Sequence, residues 1–141
     1  MDIQEFKSIK FFPFLESDQT TNDVRKRELA WLSEKISSVS LNMEFGVFSG
    51  FSINYLAKLR KDVIFYGFDS FIGLPEDWDL GSKYIKKERF SRDGKIPKVR
   101  ENVQIYPGWF NETIPVFLGD ETERTISFLN IDSDLYSSSI T

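Results

Sequence analysis

Apolar positions change their spacing along the chain, from the period of a helix to that of strands and back. Leu29 and Ile36 belong to a helical pattern among charged residues, which predicts an amphipathic helix over residues 22–37. Four short apolar runs with the character of strands follow, at residues 41–45, 63–68, 102–106 and 125–131. A helix is predicted between the first two runs, and another between the last two, capped by Asn111 with Pro115 in its first turn. This alternation predicts an α/β fold with a parallel sheet and right-handed crossovers.

The organising unit is residues 41–70, whose pattern is that of a strand, a glycine turn, a helix and a second strand. Gly46 and Gly50 bound the turn, where glycine permits positive φ angles and a close approach of the backbone to a ligand. Ser52 is predicted to cap the helix. The second strand is nearly all apolar, as expected for a parallel strand buried on both faces, and Asp69 stands at its carboxyl end. We expect the functional site at this βαβ unit.

Polar or glycine positions close all four predicted strands, at Glu44 with Gly46, Asp69, Gly108 and Asp132. Ligands of open parallel sheets bind outside the carboxyl ends of the strands, so these positions form one candidate site. A carboxylate in the place of Asp69 can accept hydrogen bonds from both ribose hydroxyls of an adenosine. Glu44 either orients the turn or meets an ammonium group; for each carboxylate, a helix-capping or solvated role is the alternative. The spacing G-x-x-x-G lacks the third glycine of the nicotinamide fingerprint, which argues against a nicotinamide-binding domain.

Two carboxylates follow the fourth predicted strand. Asp132 and Asp134 lie on alternate residues, so both can face the same cleft if the strand geometry persists. Hard oxygen ligands of this kind suit Mg²⁺ or Ca²⁺. Two carboxylates do not complete a metal site, and the alternative is that one is structural and the other solvated.

Composition narrows the chemistry of the site. The 141 residues are enough for one domain with a single core, and a net charge of −4 gives no reason to expect nucleic acid as a partner. No apolar run has the length of a membrane span, and acidic residues near the N-terminus are unlike a secretory signal, so a cytoplasmic protein is expected. The chain has no Cys and no His. A general base must therefore be a carboxylate, a lysine, a tyrosine or a metal-bound water.

Two segments outside the strands have two interpretations each. Residues 9–15 are apolar and either pack on the domain edge or form a flap or a dimer contact. Residues 82–100 carry eight cations against two carboxylates, a net charge of +6. This basic segment is either a solvated surface or a mobile lid whose cations meet an anionic substrate.

Motifs covering roughly residues 40–140 match those of a known enzyme family in the family's order. The matching stretches are residues 44–53, 66–71, 73–78, 108–110 with Thr113 and Pro115, and 131–138. In these motifs the chain resembles the macrocin O-methyltransferase family, class I S-adenosylmethionine-dependent methyltransferases that act on sugar hydroxyls of antibiotics and related glycosides. The resemblance implies the cofactor-binding half of a Rossmann-like sheet, with strand order 3-2-1-4 and flanking helices.

The resemblance also implies roles for individual residues. The turn from Glu44 to Gly50 would cradle the methionine part of S-adenosylmethionine, and Asp69 would hold the ribose. Asp132 would be the catalytic aspartate that, with Asp134, holds Mg²⁺ against the hydroxyl of a sugar or glycoside acceptor. The full set of implied cofactor-binding residues is Glu44, Gly46, Phe48, Ser49, Gly50, Ser52, Asp69, Ser70, Phe71, Gly108, Trp109 and Phe110.

The resemblance predicts a single, partial domain over residues 1–141. Residues 1–38 would form an N-terminal segment and helix, and residues 39–141 the cofactor-binding core, with a basic lid at 79–100. The family's domain continues beyond this point, so we expect a truncated chain, a homodimer or second polypeptide paired at the edge of the fourth strand, or a short binding module. The alternative function is accordingly a non-catalytic adenosine-binding fragment or assembly module.

Overall fold

The computed structural model describes residues 21–120 and 124–140. The helices are α1 (Thr21–Ser33), α2 (Phe51–Leu59), α3 (Phe110–Asp120) and α4 (Tyr136–Ser139). The strands are β1 (Leu41–Phe45), β2 (Phe65–Asp69), β3 (Trp78–Asp79), β4 (Tyr84–Ile85), β5 (Val103–Pro107) and β6 (Ile126–Ile131), with a 3₁₀ turn at Lys87–Phe90. The apolar segment predicted to pack or form a flap, residues 9–15, lies outside the described residues.

Four strands form one parallel sheet in the order β5-β2-β1-β6. Numbered along the chain as the four predicted strands, this is the order 3-2-1-4, so the predicted Rossmann-like topology is confirmed. In the register of the sheet, Glu44 on β1 lies between Gly67 on β2 and Asn130 on β6. Because all four strands are parallel, their carboxyl ends meet at one edge of the sheet.

The two central strands are buried on both faces, as their continuous apolar sequences predict. On one face, Ile53 and Leu56 of α2 pack with Phe65 of β2, and α1 adds Leu29. On the other face, Phe68 of β2 stacks on β1 and meets the helix α3 edge to face. This two-sided burial fixes the central strands, and with them the chain segments that leave their carboxyl ends.

Two predicted helix starts are wrong in detail. Gly50, with a φ of 77°, precedes α2, which has no side-chain cap; the Ser52 hydroxyl donates to a Glu44 carboxylate oxygen at 2.7 Å instead. Helix α3 begins at Phe110, so Asn111 lies inside its first turn rather than capping it. The Trp109 carbonyl accepts the first helical N–H bonds, and Pro115 lies beyond the first turn.

The predicted first helix is too long at its carboxyl end. Helix α1 ends at Ser33, and the chain continues through tight turns to Ile36. One guanidinium nitrogen of Arg60 donates to the carbonyls of Ser33 and Ile36, at 2.8 and 2.6 Å. These bonds satisfy carbonyl groups that a longer helix would have bonded internally, so the helix can stop early.

Strand β6 is the outer strand on its side of the described sheet and pairs with β1 alone. Its apolar side chains Ile126, Leu129 and Ile131 are about half exposed, at 51, 47 and 52%. The predicted apolar edge is therefore present within the described residues. No helix in these ranges is both long and apolar enough to cross a membrane.

Candidate functional site

A cleft of about 810 Å³ opens at the carboxyl ends of the four parallel strands. Eleven of the predicted site residues line this cleft: Gly46, Phe48, Ser49, Ser52, Asp69, Ser70, Gly108, Trp109, Phe110, Asp132 and Asp134. Glu44, Gly50 and Phe71 do not line it. The structure thus brings together eleven of the fourteen predicted site residues, from the ends of four different strands.

The glycine turn is pressed against the segment that follows β6. Gly46 has a φ of 90°, and a Cβ atom added there would overlap the backbone carbonyl oxygen of Asp132. The Gly46 N–H donates to the carbonyl of Phe68, and the Asp132 N–H donates to that of Phe45. A side chain at position 46 would therefore both strain the backbone and separate two strand ends, which is the physical reason for glycine here.

Asp69 connects the glycine turn to the loop after β2. Its two carboxylate oxygens accept the backbone N–H groups of Phe48 and Phe71, each at 2.7 Å. Phe48 and Phe71 both have positive φ angles, 47° and 57°, in the left-handed region that is unfavourable for such residues. The carboxylate stabilises both strained positions. Since a carboxylate has about four acceptor sites, roughly two remain for hydroxyl groups in the cleft.

Glu44 lies behind the cleft rather than in it. The side chain is 1% exposed and accepts hydrogen bonds from the Ser52 hydroxyl at 2.7 Å and the Asn130 amide at 3.1 Å. It therefore joins β1, α2 and β6 just before the turn, and its burial excludes the solvated role that was one of the alternatives for this carboxylate. Burial raises the pKa of Glu44 from its ordinary 4.5 to about 7, although both hydrogen bonds oppose the shift.

We expect Glu44→Gln to remove a pH dependence of stability. The raised pKa of Glu44 means that the folded protein binds this proton more tightly than the unfolded chain, so stability falls as pH rises from 4.5 to about 7 and stays lower above it. A glutamine keeps both contacts, with its oxygen accepting from Asn130 and its amide donating to Ser52. Above pH 7 the variant should be more stable than the wild type by up to about 3 kcal/mol.

The free energy of unfolding in urea, measured from about pH 5 to about pH 8, checks this expectation. Glu34→Gln, a substitution at an exposed glutamate just after α1, is the control and should leave the wild-type pH dependence in place. If the free energy of unfolding changed equally with pH in the wild type and in Glu44→Gln, Glu44 would not titrate in this pH range.

Asp132 carries an ion pair that the sequence did not indicate. Arg25 of α1 donates to its carboxylate at 2.8 Å, and both side chains are nearly half exposed. Arg25 precedes the buried Leu29 by about one helical turn and the buried Ser33 by about two, so the three residues lie on the same stripe of the helix. The position of a basic residue on this stripe is the signal that could have drawn attention to Arg25, although it does not identify Asp132 as the partner.

The described residues do not make a metal site by themselves. They include no group of three or more acidic side chains placed to hold a metal ion. Asp132 is already paired with Arg25, and burial together with the Asp132 charge raises the pKa of Asp134. The donor set therefore fits Mg²⁺ poorly.

The basic segment contributes an aromatic wall to the cleft. Phe90 lines the cleft and meets Phe48 edge to face, whereas no lysine or arginine of residues 82–100 is among its lining residues. Asp77 holds the β3–β4 hairpin by accepting bonds from the Tyr84 hydroxyl, the Lys87 N–H and the Lys86 ammonium, and these bonds lower its pKa to about 2. This placement favours a solvated basic surface over cations that meet a substrate.

Comparisons with known proteins agree with this topology. The crystal structure of CalS11, a calicheamicin methyltransferase, matches with a TM-score of 0.65 and 22% sequence identity. The match covers 89% of this chain and 58% of that one, so the chain spans less than two thirds of its length. No protein-family model and no curated protein matches the chain. At this identity the likeness shows the fold: a Rossmann-like α/β sheet of the kind found in a methyltransferase.

Proposed function

We propose that the cleft binds S-adenosylmethionine and that the chain is the cofactor-binding part of an O-methyltransferase acting on a sugar or glycoside hydroxyl. The observation that carries the proposal is the Asp69 carboxylate, fixed at the end of β2 beside the Gly46 turn with acceptor sites left over. The fold shared with a methyltransferase and the resemblance to the macrocin family support the reaction class.

The cleft has the chemistry that an adenosine needs. Asp69 supplies acceptors for ribose hydroxyls, and Phe48, Phe90, Trp109 and Phe110 supply apolar surface for a purine. Gly46 lines the cleft, and its lack of a side chain lets the turn lie against the Asp132 backbone. S-adenosylmethionine, when bound, supplies a methyl group activated by a sulfonium.

Asp132 is the proposed general base. Its carboxylate lines the cleft and can accept the proton of an acceptor hydroxyl at Oδ2, the atom that now accepts from Arg25. A bound S-adenosylmethionine would supply the methyl group to the hydroxyl oxygen and would leave as a neutral thioether. The remaining task of the chain is alignment and exclusion of water. Mg²⁺ remains a prediction of the family resemblance, and the described donors fit it poorly.

Calorimetry with S-adenosylmethionine and S-adenosylhomocysteine tests the cofactor half directly. We expect each ligand to bind a folded sample at one site per chain, and NADH to give no binding, because the turn lacks the third glycine of the nicotinamide fingerprint. Absence of binding by both adenosyl ligands, in a sample whose circular dichroism shows an α/β fold, would remove the proposal. Transfer of a radiolabelled methyl group to a panel of glycosides then tests the acceptor class.

A non-catalytic binding or assembly module is the second candidate, favoured by the exposed apolar edge of β6. Ile126, Leu129 and Ile131 are about half exposed along a strand that pairs with β1 alone in the described part of the chain. Such an edge can pair with a second copy of the chain in a homodimer. This candidate predicts cofactor affinity without methyl transfer, together with a dimer in sedimentation equilibrium that an Ile131→Lys variant dissociates.

A further inference from the structure

Arg25 is the cationic side chain that lines the cleft within residues 21–120 and 124–140. It belongs to α1, outside the βαβ unit, and reaches across to the end of β6, where it donates to Asp132 at 2.8 Å. Its charge also favours the ionised form of the buried Glu44. The fold therefore places a positive charge at the β6 end of the cleft.

The sheet order places Arg25 opposite the proposed nucleoside position. Strands β2 and β6 flank β1 on its two sides, so Asp69 and Asp132 follow strands that lie about 10 Å apart at the usual interstrand spacing. Gly46 lies between them, at the end of β1. A ligand whose ribose meets Asp69 and which runs across Gly46 presents its other end to Arg25 and Asp132.

The Arg25–Asp132 pair is suited to exchange. Its side chains are 43% and 47% exposed, and a pair so open to water holds its two partners together only weakly. A guanidinium binds a carboxylate best through two parallel N–H bonds, whereas this pair has one guanidinium nitrogen bonded to one oxygen. A second carboxylate in the cleft can therefore compete for Arg25.

We propose that Arg25 binds the α-carboxylate of the amino-acid part of S-adenosylmethionine, exchanging it for Asp132. The inference rests on the proposed function and adds a residue that the family motifs do not include. Its consequence is an order of events. Ligand binding withdraws the guanidinium from the Asp132 carboxylate, which is then free to accept the proton of the acceptor hydroxyl.

Two ligands separate this role from a general effect on the cleft. S-adenosylhomocysteine carries the α-carboxylate, and 5′-methylthioadenosine has the same nucleoside and sulfur without the amino-acid part. By calorimetry, Arg25→Gln should weaken S-adenosylhomocysteine by ~10- to 100-fold, the effect of one hydrogen-bonded charge, and leave 5′-methylthioadenosine unchanged. Lys26→Gln is the matched control: it removes the same charge from the next residue of α1, outside the cleft lining, and should change neither affinity.

The outcomes distinguish the inference from the proposed function. If Arg25→Gln weakens both ligands equally, or weakens neither, the inference is overturned while cofactor binding stands. If the wild type binds neither ligand, the proposed function itself fails. Melting temperature establishes that Arg25→Gln is folded. If that variant does not fold, Arg25→Lys is measured in its place. Lysine keeps the charge but cannot form two parallel N–H bonds, so we expect a smaller loss of affinity, confined to S-adenosylhomocysteine. An equal loss of affinity for both ligands, or no loss, overturns the inference.

Discussion

Gly46→Ala is expected to destabilise the protein by about 3–5 kcal/mol and to abolish ligand binding in the cleft. A φ of 90° is unfavourable for alanine, and its Cβ would overlap the carbonyl oxygen of Asp132. The backbone cannot yield at either end, because Gly46 donates to Phe68 and Asp132 donates to Phe45 across adjacent strands. Urea unfolding measures the loss of stability, and calorimetry with S-adenosylhomocysteine measures the loss of the site.

Gly81→Ala is the matched control for this prediction. Gly81 also has a positive φ, 74°, but a Cβ atom there would meet nothing within 4 Å. The variant therefore carries the backbone strain without the overlap and should cost about 1–2 kcal/mol, with ligand affinity unchanged. Equal losses at the two positions would mean that the contact between the turn and Asp132 contributes nothing.

The sheet was predictable because its signals are local and redundant. The central strands are continuous apolar runs, and a parallel sheet brings the ends of such runs to one edge whatever the details of register. That rule alone places Gly46, Asp69, Gly108 and Asp132 in one cleft, as observed. Boundaries were predicted less well, since they depend on distant partners: α1 can stop at Ser33 because the Arg60 side chain bonds the carbonyls of Ser33 and Ile36.

The electrostatics of the site could not be predicted from spacing. Glu44 precedes the turn in sequence, but its burial and its bonds to Ser52 and Asn130 depend on the packing of α2 and β6 around it. Arg25 reaches Asp132 from 107 positions away in the chain. No pattern of neighbouring residues records such a pairing, and it changes the chemistry of the predicted catalytic aspartate from a free carboxylate to an ion-paired one.

Asp69 therefore differs from the other predicted carboxylates. Glu44 is buried and Asp132 is paired with an arginine, whereas Asp69, among the described residues, accepts hydrogen bonds from two backbone N–H groups and retains acceptor sites in the cleft. A carboxylate held in this way is positioned before a ligand arrives. The conformational entropy of the Asp69 side chain is lost when the turn folds. Ligand binding therefore does not have to order this side chain again.

Asp69→Ala is expected to weaken S-adenosylhomocysteine binding by about 1.5–3 kcal/mol through the loss of acceptors for the ribose hydroxyls. The same change removes the acceptor of the Phe48 and Phe71 N–H groups, so a loss of stability of about 1–3 kcal/mol is expected as well. Asp79→Ala is the matched control. Asp79 likewise accepts the N–H of the residue two positions on, Gly81 at 2.8 Å, but lies outside the cleft lining.

Adenosine and 2′,3′-dideoxyadenosine separate the contact with the ribose from the support of the turn. The wild type should prefer adenosine by about tenfold or more, because Asp69 pairs with its hydroxyls, and Asp69→Ala should bind both nucleosides with equal affinity. Asp79→Ala should keep the wild-type preference. If Asp69→Ala retained the preference for adenosine, its weaker binding would come from the loosened turn alone, and the ribose would have to be held by another residue of the cleft.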